Sequence, residues 1–129
     1  DYFYNGAGVG IADFDGDGLQ DLFFAGNQVE DKLYKNIGNL RFVDISKDAG
    51  ITNKGWTVGV SIVDINNDGL DDLFISGGKS QASQLFIQNK KGQHLFVNCS
   101  LTKQNLILRD SAHSRQLKRL IHRYILINQ

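Results

Sequence analysis

Apolar and polar residues alternate with a period of two through short segments separated by glycine, asparagine and aspartate, a pattern that predicts β-strands bounded by turns. Four such segments, at 7–13, 20–26, 32–36 and 40–45, are followed by four more at 57–64, 71–77, 83–89 and 94–98. They are rich in β-branched and aromatic residues, which suit a pleated, half-buried surface. The second set repeats the first. Residues 8–26 (GVGIADFDGDGLQDLFFAG) align without a gap on residues 59–77 (GVSIVDINNDGLDDLFISG), a constant offset of 51 with 11 identities in 19 positions. Unrelated segments of ordinary composition would share roughly one. After each copy comes a second matching piece. Leu33-Tyr34-Lys35-Asn36 and Arg41-Phe42-Val43-Asp44 answer to Leu85-Phe86-Ile87-Gln88-Asn89 and Leu95-Phe96-Val97-Asn98, the offset drifting only from 52 to 54.

Four short strands in a repeat of about 50 residues is the period of kelch-like propeller blades. The expected fold is therefore all-β: two four-stranded blades of a partial β-propeller. The first repeat spans 1–52 and the second 53–100, leaving 101–129 as a degenerate basic segment. A two-sheet sandwich made by duplication has the same strand pattern. The overall composition, 41% hydrophobic and 22% charged, is that of an ordinary soluble domain. No apolar run approaches the roughly 18 residues of a transmembrane helix. Net charge is zero, yet residues 1–100 carry 8 basic and 13 acidic side chains, a net of −5, whereas 101–129 carry 6 and 1, a net of +5. A single cysteine, Cys99, precludes an internal disulfide and reads as a packed thiol. The chain starts at Asp1 with no signal-peptide pattern, so the natural N-terminus is expected to lie upstream.

Between the first two strands of each repeat lies an acidic loop. The first runs Asp13-Phe14-Asp15-Gly16-Asp17-Gly18-Leu19-Gln20-Asp21 and the second Asp64-Ile65-Asn66-Asn67-Asp68-Gly69-Leu70-Asp71-Asp72. Side-chain oxygens recur at loop positions 1, 3, 5 and 9 in both. Calcium takes about six to eight oxygen ligands, and a curled loop with alternate acidic residues turns its side chains onto one centre. Glycine at position 6 allows a sharp bend with positive φ. Leucine at position 7 can offer its backbone carbonyl while burying its side chain. The expected ligands are Asp13, Asp15, Asp17, Leu19 and Asp21 for one ion, and Asp64, Asn66, Asp68, Leu70 and Asp72 for a second. Carboxylates this close disfavour joint ionisation unless a cation sits among them. The formal side-chain charge at the ligand positions is −4 in the first loop and −3 in the second, where Asn66 replaces an aspartate. On charge alone the first loop is expected to bind the more tightly. Asp-Gly and Asn-Gly also form plain acidic turns without metal, but two loops in register favour the cation. An EF-hand is excluded, because position 12 is Phe24 or Ile75 where that loop needs glutamate. Dockerin loops lead into helices, whereas Leu22-Phe23-Phe24 and Leu73-Phe74-Ile75 read as strands. Magnesium prefers fewer carboxylates and retained waters.

The Asp-x-[Asp/Asn]-x-Asp-Gly-Leu-x-Asp-Leu-Phe core, preceded by Gly-Val and followed by the Leu-Tyr/Phe-x-Asn and Phe-Val strands, resembles FG-GAP/VCBS repeats over about residues 4–100. The linking segment from Phe42 to Ile51, with Trp56 ahead of the second copy, is similar to the bacterial VCBS type allied with ASPIC/UnbV and cartilage-acidic-protein-like proteins. This resemblance implies blades of a propeller like that at the N-terminus of integrin α chains, with calcium in the hairpin between the first two strands of each. It implies a secreted or cell-surface setting, adhesion or binding of a protein or carbohydrate ligand, and no catalysis. A Phe-Gly-Gly-Ala-Pro stretch is absent. Since propellers close with roughly four to eight blades, two blades are expected to pack with further ones outside this chain. An accessory propeller of a larger secreted enzyme is the rival reading.

A third copy of the loop would place its ligand positions at Arg115, Leu117, Arg119 and Arg123, which cannot hold calcium. Ser111 to Gln129 reads instead as an amphipathic basic helix, with Leu117, Leu120, Ile121, Tyr124 and Ile125 on one face. Such a helix can bind membranes or acidic partners, pack on the last blade, or replace a sequence lost by truncation or frame shift. His94, His113 and His122 show no catalytic spacing relative to Cys99 or to a serine motif. Gly6-Ala7-Gly8-Val9-Gly10 leads into a strand, unlike a nucleotide-binding loop, so its glycines are expected to serve close blade packing. No nucleic-acid partner is expected, and Asn98-Cys99-Ser100 is a glycosylation sequon that matters only in a secreted eukaryotic protein.

Overall fold

The computed structural model of the chain describes residues 7–52, 54–78, 81–88, 96–101 and 106–108. These are all-β, with ten strands: β1 (Val9–Ala12), β2 (Asp21–Phe24), β3 (Asn27–Glu30), β4 (Lys32–Asn36), β5 (Phe42–Asp44), β6 (Lys54–Val63), β7 (Asp72–Gly77), β8 (Ser83–Gln88), β9 (Phe96–Leu101) and β10 (Leu106–Leu108). They form a four-stranded sheet in the order β1-β2-β4-β5 and a six-stranded sheet in the order β10-β9-β8-β7-β6-β3. Every pairing is antiparallel.

The two repeats therefore build the same meander, β1-β2-β4-β5 in the first and β6-β7-β8-β9 in the second. All eight predicted strands are present. Two further strands extend the second sheet. β10 adds to β9 inside the segment read as degenerate, and β3 pairs with the start of β6 through Asn27 opposite Trp56 and Glu30 opposite Lys54. The sequence pattern of Asn27-Gln28-Val29-Glu30 is too polar to signal a strand, and Gln28 sits at φ 67 in the irregular stretch of the ladder. β3 thus carries residues of the first repeat across the 52/53 boundary into the sheet of the second. Among the described residues there is no helix, and the helix expected over 111–129 lies outside them.

The core lies between the repeats. Along β1, β2 and β4 the alternation turns Ala12, Phe23 and Leu33 inward, and all three are buried. They join Leu73, Ile75 and Phe86 of the second repeat in one cluster, with Val60 and Ile62 packed against it. Gly8 and Gly10 are the reason β1 can come so near β6. A Cβ on either would meet Val60 or Ile62 at 3.0 Å, tighter than ordinary contact. Phe14, although in the acidic loop, is fully buried in the same cluster. The turn after β5 adds Ala49 and Ile51, held by an Ile51 N–H bond to the Ser46 carbonyl at 2.8 Å with Gly50 at φ 76.

Asp31 ties the repeats together from within. Its buried carboxylate accepts the Gly26 N–H at 2.6 Å and the Thr57 hydroxyl at 3.1 Å, while the Thr57 N–H donates to the Gly26 carbonyl at 3.1 Å. Gly26 has no room for a side chain, because a Cβ would fall 2.2 Å from the Val29 carbonyl oxygen.

Candidate metal centre

Both acidic loops join the first strand of a meander to the second, β1 to β2 and β6 to β7. Each reverses direction through two left-handed residues, Gly16 (φ 78) and Gly18 (φ 87) in the first, Asn67 (φ 59) and Gly69 (φ 82) in the second. Only glycine, and at some cost asparagine, adopts such φ values readily. These bends let the first aspartate of each loop draw in the backbone that follows it. Asp13 accepts N–H groups of Gly16, Asp17 and Gly18 at 2.7, 3.1 and 2.8 Å. Asp64 accepts those of Asp68 and Gly69 at 3.0 and 2.8 Å.

The rest of the network repeats in the same register. The Asp17 N–H donates to Asp15 and the Asp68 N–H to Asn66, both at 3.1 Å. The Leu19 N–H donates to Asp17 and the Leu70 N–H to Asp68, both at 2.9 Å. Asp21 is fully buried and clamps two separate segments, accepting the Phe14 N–H at 2.9 Å and the Asn36 N–H of β4 at 2.8 Å. Asp72 does the same with the Ile65 N–H at 3.0 Å and the Gln88 N–H of β8 at 2.9 Å. Asp21 and Asp72 thus anchor each loop to the third strand of its meander. Spacing marks them only as expected ligands, and their roles as clamps cannot be read from the loop alone, because Asn36 and Gln88 stand 15 and 16 residues away.

Three of the four side chains expected to hold the first ion are brought together, Asp17 lying outside the group, and among the described residues no such group forms in the second loop. Carboxylate oxygens of Asp13, Asp15 and Asp21 lie within 4.8 Å of one another, an all-oxygen donor set that suits a hard cation. In the second loop Asp64, Asn66, Asp68 and Asp72 occupy the matching positions of the same hydrogen-bond network. One detail differs from expectation. Leu19 is 38% exposed and Leu70 only half-buried, so neither seals its loop with its side chain.

One partner lay beyond the reach of the loop pattern. Lys35, on β4, reaches the first loop and forms an ion pair with Asp15 and a second with Asp17 at 3.0 Å. Hydrogen bonding to Asp15 and then Asp17 pushes the Lys35 ammonium well above its ordinary pKa. The Leu19 N–H, followed by Lys35, lowers that of Asp17. Burial raises Asp21 against the opposing pull of its two backbone donors. Burial likewise raises Asp72, to about 6, with Asp68 and Asp64 adding to the effect.

The Asp72 shift has a definite sign. Its folded-state pKa lies above the ordinary carboxylate value of 3.8, so the native chain binds the proton more strongly than the unfolded one. The stabilisation from that proton is complete below pH 3.8 and is lost as pH rises through about 6. For the metal-free protein we expect a term in the urea midpoint that falls between about pH 4 and 6 and is flattened in Asp72→Asn. A slope unchanged by the substitution would refute the assignment. Asp17 and Asp44, whose pKa values are lowered, act oppositely, their contributions fading as pH drops below 3.8.

The family model described as FG-GAP-like repeat matches residues 13–75, from the first aspartate of the first loop to β7 beyond the second. Residues 13–75 are an FG-GAP-like repeat. No curated protein and no solved structure matches the chain. The match agrees with the paired antiparallel meanders and points to a module of β-propeller type over the matched segment. The matched segment holds both acidic loops together with Lys35, Asn36 and the Asp31 link between the repeats. Cys99 lies in β9, whereas His94, His113 and His122 fall outside the described residues. No helix among the described residues is long and apolar enough to cross a membrane.

Proposed function

We propose that the chain is a non-catalytic, calcium-binding β-propeller repeat module for extracellular binding or adhesion, in which calcium has a structural role. The observation that carries this reading is the recurrence, at matching positions of two loops, of one carboxylate network built from the same oxygens. A plain turn does not need Asp13, Asp15 and Asp21 to converge on one point, whereas a calcium loop does. When bound, the ion supplies the positive charge that such a cluster lacks and fixes the hairpin. Asp13, Asp15 and Asp21 would hold it in the first loop, with Asp64, Asn66, Asp68 and Asp72 in the second. A secreted or cell-surface setting suits loops of this sort, since extracellular modules bind calcium with dissociation constants of about 10⁻⁴–10⁻³ M. The VCBS character of the segment from Phe42 to Ile51 belongs to the same reading.

Further blades are the natural neighbours of the first repeat. Val60, Ile62, Ile75 and Phe86 of the second repeat belong to or pack on the core shared with the first. Their counterparts Val9, Ile11 and Phe24 are 55%, 58% and 41% exposed, with Tyr34 beside them edge-on to Phe24. A preceding blade with a glycine-rich first strand would cover this face as β1 covers that of the second repeat. A protein or carbohydrate ligand would then bind on a surface that the assembled blades create.

The test is a thermal melt of the full chain in about 1 mM calcium and then in excess chelator, with a calorimetric titration alongside. At free calcium about ten times the dissociation constant, binding to the folded state alone stabilises it by about 1.4 kcal/mol. A melt indifferent to calcium, together with no heat of binding, overturns the proposal.

A further inference from the structure

We propose that Lys35 is a tethered counter-ion for the first acidic loop, so that its ammonium takes the part of the metal there and the second loop carries the calcium dependence of the chain. The metal half of this inference rests on the calcium reading of the second loop. The counter-ion half stands on the first loop's own geometry.

Three observations lead to it. The Lys35 ammonium is shared between the carboxylates at loop positions 3 and 5, Asp15 and Asp17, the latter at 3.0 Å. Asp15 is well shielded, its side chain only 11% exposed, so the pair is not a freely hydrated surface contact. The two meanders also fix what stands at the same place in the second repeat. The Asn36 N–H bonds Asp21 just as the Gln88 N–H bonds Asp72, so the residue before each occupies the same site. That residue is Lys35 in the first repeat and Ile87 in the second, where it is buried at 6% exposure. Among the described residues no ammonium or guanidinium pairs with Asp64 or Asp68.

The consequence follows from charge and tethering. Lysine is a compact point charge with three donors on a flexible stem. Attached to β4, it is present at the loop at an effective concentration on the order of millimolar or more. Calcium entering the first loop must displace it and then tolerate a like charge close by. The second loop has one carboxylate fewer at its ligand positions and, among the described residues, no such competitor. The expected order of affinity is therefore the reverse of the order set by carboxylate number.

The decisive experiment uses the full chain and two readouts. In chelator, Lys35→Met keeps the aliphatic stem and removes the charge. It is expected to lower the melting temperature, because the first-loop carboxylates lose the cation paired with them, whereas Lys47→Met, at an exposed position outside both loops, leaves it unchanged. Calcium calorimetry then separates the loops. Asp68→Ala is expected to weaken the site seen in the wild type by at least about tenfold, and Lys35→Met added to Asp68→Ala to restore a site in the first loop, again by at least about tenfold. The counter-ion role is overturned if Lys35→Met leaves the chelator melt unchanged or raises it. The division of labour is overturned if Asp68→Ala retains a first-loop site that Lys35→Met does not strengthen. Should calcium bind no variant while Lys35→Met still lowers the chelator melt, the calcium reading fails and the counter-ion stands.

Discussion

Phe23→Ala is expected to lower the stability of the chain by about 3–5 kcal/mol, the cost of emptying a buried aromatic site that cannot fully collapse. Phe23 has no exposed surface and lies on β2 between Gly10 of β1 and Leu33 of β4, in the cluster shared with Leu73, Ile75 and Phe86. β1 offers little that could move in. Its inward positions are the small Gly10 and Ala12, and Gly10 and the preceding Gly8 already come close to Ile62 and Val60 of β6. A loss of this size is a large part of the roughly 5–15 kcal/mol that holds a domain folded. The neighbouring Phe24→Ala supplies the control. Phe24 faces the other way and is 41% exposed, so its loss should cost less than about 1.5 kcal/mol. Urea unfolding of the two variants decides the matter, and a Phe24→Ala loss equal to that of Phe23→Ala would mean that the buried face of the first sheet has been misassigned.

That comparison marks where the sequence ceases to be informative. Period-two alternation locates the eight strands of the two meanders and sorts each into two faces, but in the first repeat both faces carry apolar residues. Val9, Ile11 and Phe24 are as hydrophobic as Ala12, Phe23 and Leu33, and only packing against β6 decides which set is buried. The small residues Gly8, Gly10 and Ala12 are the local hint, since a close approach of two strands requires them. β3 illustrates the opposite limit. Its four residues are half-buried or exposed and carry no strand signal, and their conformation is imposed by the edge of β6 and by the Asp31 carboxylate next to them. Tertiary pairing overrides weak local propensity in such places.

The candidate site divides along the same line. Donor types, spacing and the left-handed bends at Gly18 and Gly69 are local properties of nine residues, and they were legible because two copies repeat them. Lys35 lies 20 residues from Asp15 in the chain. It can be matched with the loop only once β4 is known to pair with β2, which brings the third strand of the meander alongside the loop's exit. The offset between repeats contains the clue. Lys35 and Ile87 align within otherwise similar strands, a charge in one copy standing where the other is apolar.

Asp72→Ala is expected to destabilise the chain with or without calcium, by about 2–4 kcal/mol in chelator, whereas Asp68→Ala should remove only a calcium-dependent increment. The two residues belong to one predicted ligand set yet have different surroundings. Asp72 is fully buried, and without its carboxylate the N–H groups of Ile65 and Gln88 lose their acceptor inside the protein. Asp68 receives the Leu70 N–H at an exposed position, where water can replace it. Because burial has raised the Asp72 pKa to about 6, ionisation at neutral pH already costs the native state something, and removing the side chain recovers part of that cost. The Asp72→Ala loss should accordingly be greater at pH 4.5 than at pH 7. Melts of both variants in calcium and in chelator at these two pH values separate a carboxylate that holds the loop onto β8 from one that serves the ion. Equal sensitivity of the two variants to calcium, with no effect of either in chelator, would place Asp72 among the metal ligands alone and deny it the structural role that its two backbone bonds imply.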